Sequence, residues 1–285
     1  MVSADLSTAG TQGSRASSTA RVAGRALVIV LFLAPVAFML LGSLRQVGLP
    51  PPSGLDVVPD GAGLSAYGAL ADRLNLGRLL LNSVIVSFIA VPLTVLVASW
   101  AGFALAQLPD RSRRWLVGAT VVLLVLPVPI VWVPRFALYV RLGILDTLAP
   151  LIVPALAATT PFTVLLAYRA FRRVPSELFE AARLEGAGAL TTWWRIGLPL
   201  VRSTTTAVAA IAFAFHWGNY LDALLYVQAS YFRTLPLGVG ALKGLDASDY
   251  PILLAGAVIL TVPPLLVLAL AQRRLLGSVD VAMDR

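Results

Sequence analysis

The longest polar connection between two apolar runs of this chain reads FRRVPSELFEAARLEGAGALTTWWRIGLPLV and occupies residues 171–201. Pro175 and Ser176 are residues that commonly open a helix, because the fixed φ of proline suits the first helical position. Glu177 and Glu180 follow within the first turns, where the positive end of the helix dipole stabilises a carboxylate. The stretch therefore predicts a short helix that begins near residue 176.

One face of this predicted helix carries Leu178, Ala181, Ala182 and Glu185, which recur at positions i, i+3, i+4 and i+7. Residues at that spacing lie on the same side of a helix. Because two of the four are alanines, a second surface can approach the helix closely there. We expect this face to contact a partner.

A glycine turn and a second short helix follow. Gly186 and Gly188 suit a helix end and a turn, because glycine adopts the left-handed conformation at little cost. The second helix is predicted from Ala189 to Ile196 and should end before Pro199, since proline disrupts a helix interior. Two short helices joined by a turn suit docking into a groove on a partner. Residues 171–199 are called the docking loop below.

On both sides of the docking loop the chain is strongly apolar. Of its 285 residues, 58% are hydrophobic and only 13% are charged, with a mean hydropathy of +0.85. A soluble domain is about half apolar and about a quarter charged, so too little polar surface remains here to cover a soluble globule. A helix needs about 20 apolar residues to cross a bilayer. Six such spans are predicted, at 26–44, 79–106, 115–134, 150–170, 200–226 and 252–271.

The spans set the predicted domain organisation. Residues 1–23 are rich in small polar residues without periodicity and predict a disordered tail, 24–275 form the transmembrane domain, and 276–285 form a C-terminal tail. The first run is long for a signal-peptide core and lacks a small-x-small cleavage site, so we predict an uncleaved span. Prolines are expected to kink or interrupt the third and fourth spans, namely Pro127, Pro129, Pro134, Pro154 and Pro161.

The distribution of cationic residues predicts the orientation. With the N-terminus inside, fifteen of the 22 Lys and Arg residues fall in cytoplasmic segments and seven in outer segments. Cytoplasmic loops of membrane proteins carry an excess of Lys and Arg. We therefore predict a multi-pass protein of a bacterial cytoplasmic membrane with both termini in the cytoplasm. The net charge of +8 is explained by these loops and does not indicate nucleic-acid binding.

The docking loop also carries a signature at fixed spacing, EAA-x3-G-x9-I-x-L-P. Its members here are Glu180, Ala181, Ala182, Gly186, Ile196, Leu198 and Pro199. In this signature the chain resembles the permeases of ABC importers. Further stretches resemble the carbohydrate branch related to the maltose permease subunit MalG, and together the resemblance covers roughly 25–275. They are GSLRQ (42–46), LNSVIVS (81–87), AGFALAQL (101–108) and FHWGNYLDALL (215–225).

The resemblance implies an all-α integral membrane protein, with six transmembrane helices and a cytoplasmic coupling-helix loop, as in type I ABC importer permeases. It also implies the partners: a second related permease subunit, two ABC ATPase subunits and an external solute-binding protein. The seven signature residues would then form the ATPase-docking site. Two departures are a Glu at position 185, where the family usually has Asp, and the C-terminal GSVDVAMDR, which lacks the family's Gly-rich basic ending.

The chain lacks the means to hydrolyse ATP. A phosphate-binding loop needs Gly-Lys-Ser/Thr, whereas the single lysine, Lys243, is followed by Gly244. ATP and Mg²⁺ are therefore expected on the partner ATPase, and no cofactor is expected on this chain. With no cysteine and one histidine, no multi-histidine or thiolate metal site is expected either. We predict a permease subunit rather than an enzyme.

Polar residues inside the spans are candidates for the substrate path, because such groups are costly in lipid and tend to face protein or water. Amides, carboxylates and aromatic rings suit a sugar. The alternative is structural: Trp and Tyr form interfacial belts, and Asn joins helices by hydrogen bonds. The fifth span is predicted to place His216, Asn219, Tyr220 and Ala223 on one helical face. The candidates are Asn82, His216, Trp217, Asn219, Tyr220 and Asp222.

The function predicted from these observations is inward movement of a sugar or oligosaccharide by alternating access. An importer for a sugar derivative such as glycerol phosphate is an alternative. A proton-coupled carrier that works alone is a second one, with His216 as a proton relay, although no titratable group in another span is placed to receive the proton. A membrane enzyme would need a cluster of catalytic carboxylates, histidines or cysteines, which the sequence does not show.

Overall fold

The computed structural model describes residues 9–48, 61–244, 246 and 249–283, and the side chains of 24–48, 61–242, 246 and 249–272. All regular structure in these residues is helical. The α-helices are α1 (Ala9–Ser43), α2 (Ser65–Arg73), α3 (Leu76–Gln107), α4 (Asp110–Val125), α5 (Trp132–Leu142), α6 (Ala149–Ile152), α7 (Pro161–Phe171), α8 (Ser176–Leu184), α9 (Ala189–Thr191), α10 (Leu198–Leu200), α11 (Arg202–Trp217), α12 (Leu221–Tyr226), α13 (Leu235–Gly240) and α14 (Tyr250–Met283). Short 3₁₀ segments lie at Val128–Val131, Val153–Ala157, Ser230–Phe232 and Ala241–Gly244, and a π-helical turn occupies Thr192–Gly197.

Four described helical segments are long and apolar enough to cross a membrane. They are Gly24–Ser43, Leu76–Gln107, Ala149–Phe171 and Tyr250–Gln272, and they coincide with the first, second, fourth and sixth predicted spans. The count rises to as many as six if each of two bent helix pairs forms one span. The two pairs are Asp110–Val125 with Val128–Leu142, bent by 95°, and Ala189–Leu200 with Arg202–Trp217, bent by 87°.

Two of the predicted spans are not continuous helices in the structure. The third span is broken near Pro127, as its prolines led us to expect, because proline removes a backbone donor and clashes with the preceding turn. The fifth run, 200–226, is not one helix: α11 ends at Trp217 and α12 begins only at Leu221. Gly218 lies at the break and shortens the helix that apolar composition alone predicted.

The N-terminal region also differs from the disordered tail predicted for 1–23. Helix α1 begins at Ala9, so the backbone of 9–23 is helical, while residues 1–8 lie outside the described residues. No proline interrupts this segment, and Ala and Arg are good helix formers.

The chain divides into two compact units. In the first, which contains α1, α2 and the beginning of α14, the ring of Phe38 meets Tyr250 edge-on at 6.5 Å, and the hydroxyls of Ser43 and Tyr67 lie 2.9 Å apart. The second contains residues 73–244 and the rest of α14.

Helix α3 is the centre of the second unit, where it packs against α7 and α11. The closest approach is at Gly102: a Cβ atom there would lie 2.6 Å from the backbone nitrogen of Tyr168 and 2.7 Å from the Cβ of Ala167. Two helix backbones can come this close only because one residue has no side chain.

This contact predicts a sharp difference between two glycines. Gly102→Val should destabilise the protein by at least about 1–3 kcal/mol, because the side chain would overlap backbone atoms that cannot move without separating α3 from α7. Gly118→Val is the matched control, since a Cβ at Gly118 meets nothing within 4 Å. Thermal unfolding of the purified protein in detergent measures both. Equal melting temperatures for the two variants would contradict the α3–α7 contact.

Candidate functional site

The first helix of the docking loop forms as predicted. Helix α8 begins at Ser176, directly after Pro175, and ends at Leu184. Gly186 has φ +82°, a conformation that favours glycine, and it lets the chain reverse so that the amide of Ala187 donates to the carbonyl oxygen of Ala182 at 2.9 Å.

The inner face of α8 packs on the chain's own aromatic cluster. Phe179 lies edge-on to Phe103 at 5.6 Å between ring centroids, and Phe103 meets Phe171 at 5.4 Å. Trp193 completes this cluster. Ala182 is only 5% exposed, on the buried side of α8. Our expectation that Ala182 faces a partner is therefore wrong: in this chain the small side chain lets α8 lie close to the protein below it.

The outer face of α8 is exposed. Leu184 is 90% exposed, Leu178 is 45% exposed, and Glu180 and Ala181 are exposed beside them. Large apolar side chains with this exposure, flanked by charge, are typical of a surface that binds another protein.

The second half of the docking loop continues past its predicted end. Helix α9 passes into the π turn and then into α10, in which Pro199 occupies one of the first two positions. A proline is accommodated there because its missing N–H falls where a helical segment starts. Ile196 and Leu198 are half-buried against the aromatic cluster. Of the signature residues, Glu180, Ala181, Gly186 and Pro199 are exposed.

The predicted common face of His216, Asn219, Tyr220 and Ala223 does not exist, because α11 ends at Trp217. The structure instead joins His216 to residues distant in sequence. Its Nε2 lies 2.9 Å from the hydroxyl of Thr159, which lies 2.5 Å from the hydroxyl of Thr94. His216 is 4% exposed and Thr94 is fully buried. These three residues form a polar chain between α11, the segment before α7, and α3.

The polar chain crosses an irregular backbone. Ala158 and Thr159 have φ of +58° and +63°, which is unusual for residues other than glycine and most strained for a β-branched one. Thr94 and Thr159 were not singled out from the sequence. In the sequence each is only a hydroxyl residue within or near an apolar run, which is a weak signal. The fold is needed to bring them beside His216.

A second polar group surrounds Asp222, which is buried. Asn219 donates from Nδ2 to Asp222 Oδ2 at 2.9 Å and accepts from the Asp222 amide at 3.2 Å. The guanidinium of Arg135 lies 4.0 Å from the same carboxylate. Arg135 was missed because it stands just after the third run, far along the chain from its partner. The structure thus brings Asn219 and Asp222 together, and each provides a hydrogen-bond partner for the other.

The aromatic candidates of this region are packed within the protein. Trp217 stacks on Phe213 and donates from Nε1 to the carbonyl oxygen of Leu260 at 2.9 Å. Tyr220 is half-buried against Gly240, where a Cβ would meet its ring at 2.4 Å. These contacts show both rings holding neighbouring segments together.

Asn82 is buried and uses both amide hydrogens. Its Nδ2 donates to the carbonyl oxygens of Tyr231 and Arg233, each at 2.9 Å, and the neighbouring Ser83 hydroxyl accepts from the amide of Leu235 at 2.8 Å. The two side chains therefore hold the segment 231–235 against α3, and this arrangement supports a structural role for Asn82.

Asn82→Asp tests this role. A carboxylate keeps the size of the amide but cannot donate, so it would face two carbonyl oxygens and cost about 1–3 kcal/mol or more. Asn75→Asp is the control, because Asn75 only accepts, from the Arg78 amide at 3.2 Å, and aspartate does the same. We expect a lower melting temperature for the first variant alone. A normal melting temperature for Asn82→Asp would mean that the two bonds contribute little.

Metal ligands are not grouped in the part of the chain that the structure describes: it contains no cluster of three or more His, Cys, Asp or Glu side chains that could hold an ion.

The apolar helices, their breaks and the two-helix docking loop define a multi-pass helical membrane protein of the permease class. Residues 94–279 match the family described as the inner membrane component of binding-protein-dependent transport systems, and the chain belongs to this family. The resemblance inferred from the docking-loop signature is confirmed. The chain is thus a transport permease subunit and not an enzyme, and hydrolysis of ATP falls to a separate subunit.

Two relatives show the extent of the likeness. The chain is 33% identical over 255 residues to the diacetylchitobiose uptake system permease protein NgcG of Streptomyces coelicolor. The alignment covers 88% of this chain and 83% of NgcG. It is 30% identical over 200 residues to the arabinooligosaccharides transport system permease protein AraQ of Halalkalibacterium halodurans. That alignment covers 70% of this chain and 71% of AraQ.

The fold also matches a crystal structure of a bacterial ABC transporter involved in the import of the acidic polysaccharide alginate. The TM-score is 0.73, at 18% identity, with 95% of this chain and 99% of that chain covered. At this identity the likeness concerns the fold alone.

Proposed function

We propose that this chain is one of two related transmembrane subunits of an ABC importer that moves a sugar or oligosaccharide inward. In this proposal an external binding protein delivers the solute, and two ATPase subunits dock on the docking loop. The observation that supports this docking is the exposed outer face of α8, where Leu184 is 90% exposed. The other face of the same helix packs on the transmembrane helices through Phe179. Movement of a docked ATPase would be transmitted through that aromatic contact to α3 and α7.

The sugar assignment has two supports. Relatives such as NgcG and AraQ are named for the uptake of a diacetylated disaccharide and of oligosaccharides. The half-buried hydroxyl of Thr159, which bonds Thr94 and His216 on its buried side, is the kind of group that hydrogen-bonds sugar hydroxyls. In this proposal the irregular backbone at Ala158 and Thr159 lines the path, since such backbone occurs at membrane depth only where protein or a cavity satisfies it.

Alternating access needs elements that bend. The breaks near Pro127, at Ala158–Thr159 and at Gly218 divide three spans, and we infer that the segments on either side of each break move as rigid pieces. A few residues at element ends are where hinge motions are usually absorbed.

The docking role predicts different results for two neighbouring alanines. Ala181→Trp should leave the melting temperature unchanged but abolish ATP-dependent uptake and reduce co-purification of the ATPase, because Ala181 is exposed on the docking face. Ala182→Trp should in addition lower the melting temperature, since the ring would have to enter the buried side of α8. The measurements are uptake, ATPase pull-down and thermal unfolding at matched expression.

Ser112→Trp provides the control, because Ser112 is exposed in another segment predicted to be cytoplasmic. The docking assignment fails if Ala181→Trp behaves as Ser112→Trp does in both uptake and pull-down.

The proposed topology has six spans with both termini in the cytoplasm. The bent pair α4 and α5 counts as one span, and α11 belongs to the fifth span, whereas α9 and α10 stay in the cytoplasmic docking loop. Because the natural chain has no cysteine, single cysteines report cleanly. With a membrane-impermeant thiol reagent on intact cells, cysteines at Ser65 and Ser230 should label, whereas those at Ser112 and Ser176 should label only after permeabilisation. All four serines are exposed. Labelling at Ser176 on intact cells would place the docking loop outside and contradict the topology.

A further inference from the structure

A cationic pocket lies at the N-terminal end of α3, entirely within the second unit. It has a volume of about 500 Å³, and Arg73, Arg78 and Arg233 line it together with the ring of Tyr231. We call it the arginine pocket. No acidic side chain is among the described residues that line it. The pocket belongs neither to the docking loop nor to the polar chain.

The walls of the arginine pocket are fixed by bonds already described. Asn82 and Ser83 hold the backbone of 231–235 to α3, so the segment that carries Tyr231 and Arg233 has a set position. Behind it, Gly238 packs so closely on Leu79 that a Cβ would lie 2.3 Å from its Cδ1. The arrangement is preorganised, which lowers the entropic cost of binding a ligand.

Two of the three arginines, Arg78 and Arg233, are placed to bind an anion. The guanidinium carbon of Arg78 lies 3.7 Å from the centroid of the Tyr231 ring, and a guanidinium over an aromatic face can still donate its N–H groups to another partner. Among the described residues, the Arg233 guanidinium makes one long contact, 3.5 Å from Nη2 to the carbonyl oxygen of Gln228. Within the described residues, neither Arg78 nor Arg233 forms an ion pair with a carboxylate. Forked guanidinium groups bind phosphate and carboxylate oxygens especially well.

The position of the pocket indicates which kind of anion it binds. Helix α3 is long and apolar enough to cross a membrane, and Arg78 lies in its first turn, so we place the pocket at the end of that span. Directly beyond Arg78 the helix exposes an apolar stripe of Leu81, Val84 and Phe88, the last of which is 78% exposed. A cationic pocket above an apolar stripe matches a ligand with an anionic head and a hydrocarbon tail. A soluble anion or an acidic protein side chain would use the pocket but not the stripe.

We propose that the arginine pocket binds the phosphodiester headgroup of an anionic membrane lipid, whose acyl chains lie along the stripe of α3. The guanidinium groups of Arg78 and Arg233 contact the phosphate oxygens, and the exposed ring of Tyr231 lies at the level of the lipid headgroups, where tyrosine is enriched. This site is separate from the solute path, and its occupancy does not depend on which solute the importer carries.

Native mass spectrometry of the purified full chain tests this directly. Wild-type protein is titrated with phosphatidylglycerol and with phosphatidylcholine of identical acyl chains, and the affinity for each is measured. We expect one phosphatidylglycerol to bind on the order of tenfold more tightly than phosphatidylcholine, because the net charge of the headgroup is the difference between them. Equal affinities would overturn the proposal, and this comparison uses the unaltered protein.

The variant Arg78→Gln/Arg233→Gln should lose that preference, with a fall in phosphatidylglycerol affinity on the order of tenfold or more. The matched control is Arg111→Gln/Arg141→Gln, which removes the same charge from two exposed arginines outside the pocket and should keep the preference. Equal loss in both variants would mean a diffuse effect of net charge and would overturn the site.

Two further experiments distinguish a lipid headgroup from a soluble anion and from an anionic group of another protein. Inorganic phosphate at the concentration of the lipid should fail to displace phosphatidylglycerol from the wild-type protein; displacement would show a site for soluble oxyanions instead. In vesicles of pure phosphatidylcholine, the Arg78→Gln/Arg233→Gln variant should transport as the wild type does. A defect there would assign the arginines to a contact with another protein and contradict lipid binding.

Discussion

The constraint on which the rest of this structure depends is that a backbone polar group within a bilayer must find its partner inside the protein. Unbroken helices meet it automatically, but several segments of this chain that are apolar enough to cross a membrane contain breaks. At the break before α7, the amide of Thr159 donates to the carbonyl oxygen of Pro154 at 2.9 Å, and the Thr163 hydroxyl contacts the carbonyl oxygens of Ala158 and Thr160 at 2.5 and 2.7 Å. The single hydroxyl hydrogen of Thr163 is thus shared between two carbonyl groups beside the break.

The same constraint explains why polar side chains gather where they do. Tyr226 donates its hydroxyl to the carbonyl oxygen of Trp132 at 3.2 Å, beside the break that follows α4. Asp146 accepts from the amides of Gln228 and Ala229, which follow α12. These bonds tie α12 and the segment after it to the start of α5 and to the connection that follows α5.

The local sequence was sufficient to predict the first helix of the docking loop, because Pro175, Ser176 and Gly186 determine its ends through their own backbone preferences. It could not show that Ala182 faces inward, since an amphipathic pattern does not indicate which of two surfaces the apolar face will meet. The end of α11 was missed because the apolar run continues through Gly218. The polar chain of Thr94, Thr159 and His216 depends on residues far apart in sequence, and only tertiary structure brings them together.

The central claim is that this chain moves solute only when a separate ATPase drives it. The most direct measurement is accumulation of a labelled oligosaccharide by proteoliposomes, with the chain reconstituted either alone or with its partner permease, ATPase subunits and binding protein. The account predicts accumulation by the complete assembly with ATP on the ATPase side, and none with ADP or with the chain alone. Accumulation by the chain alone under a proton gradient would contradict it.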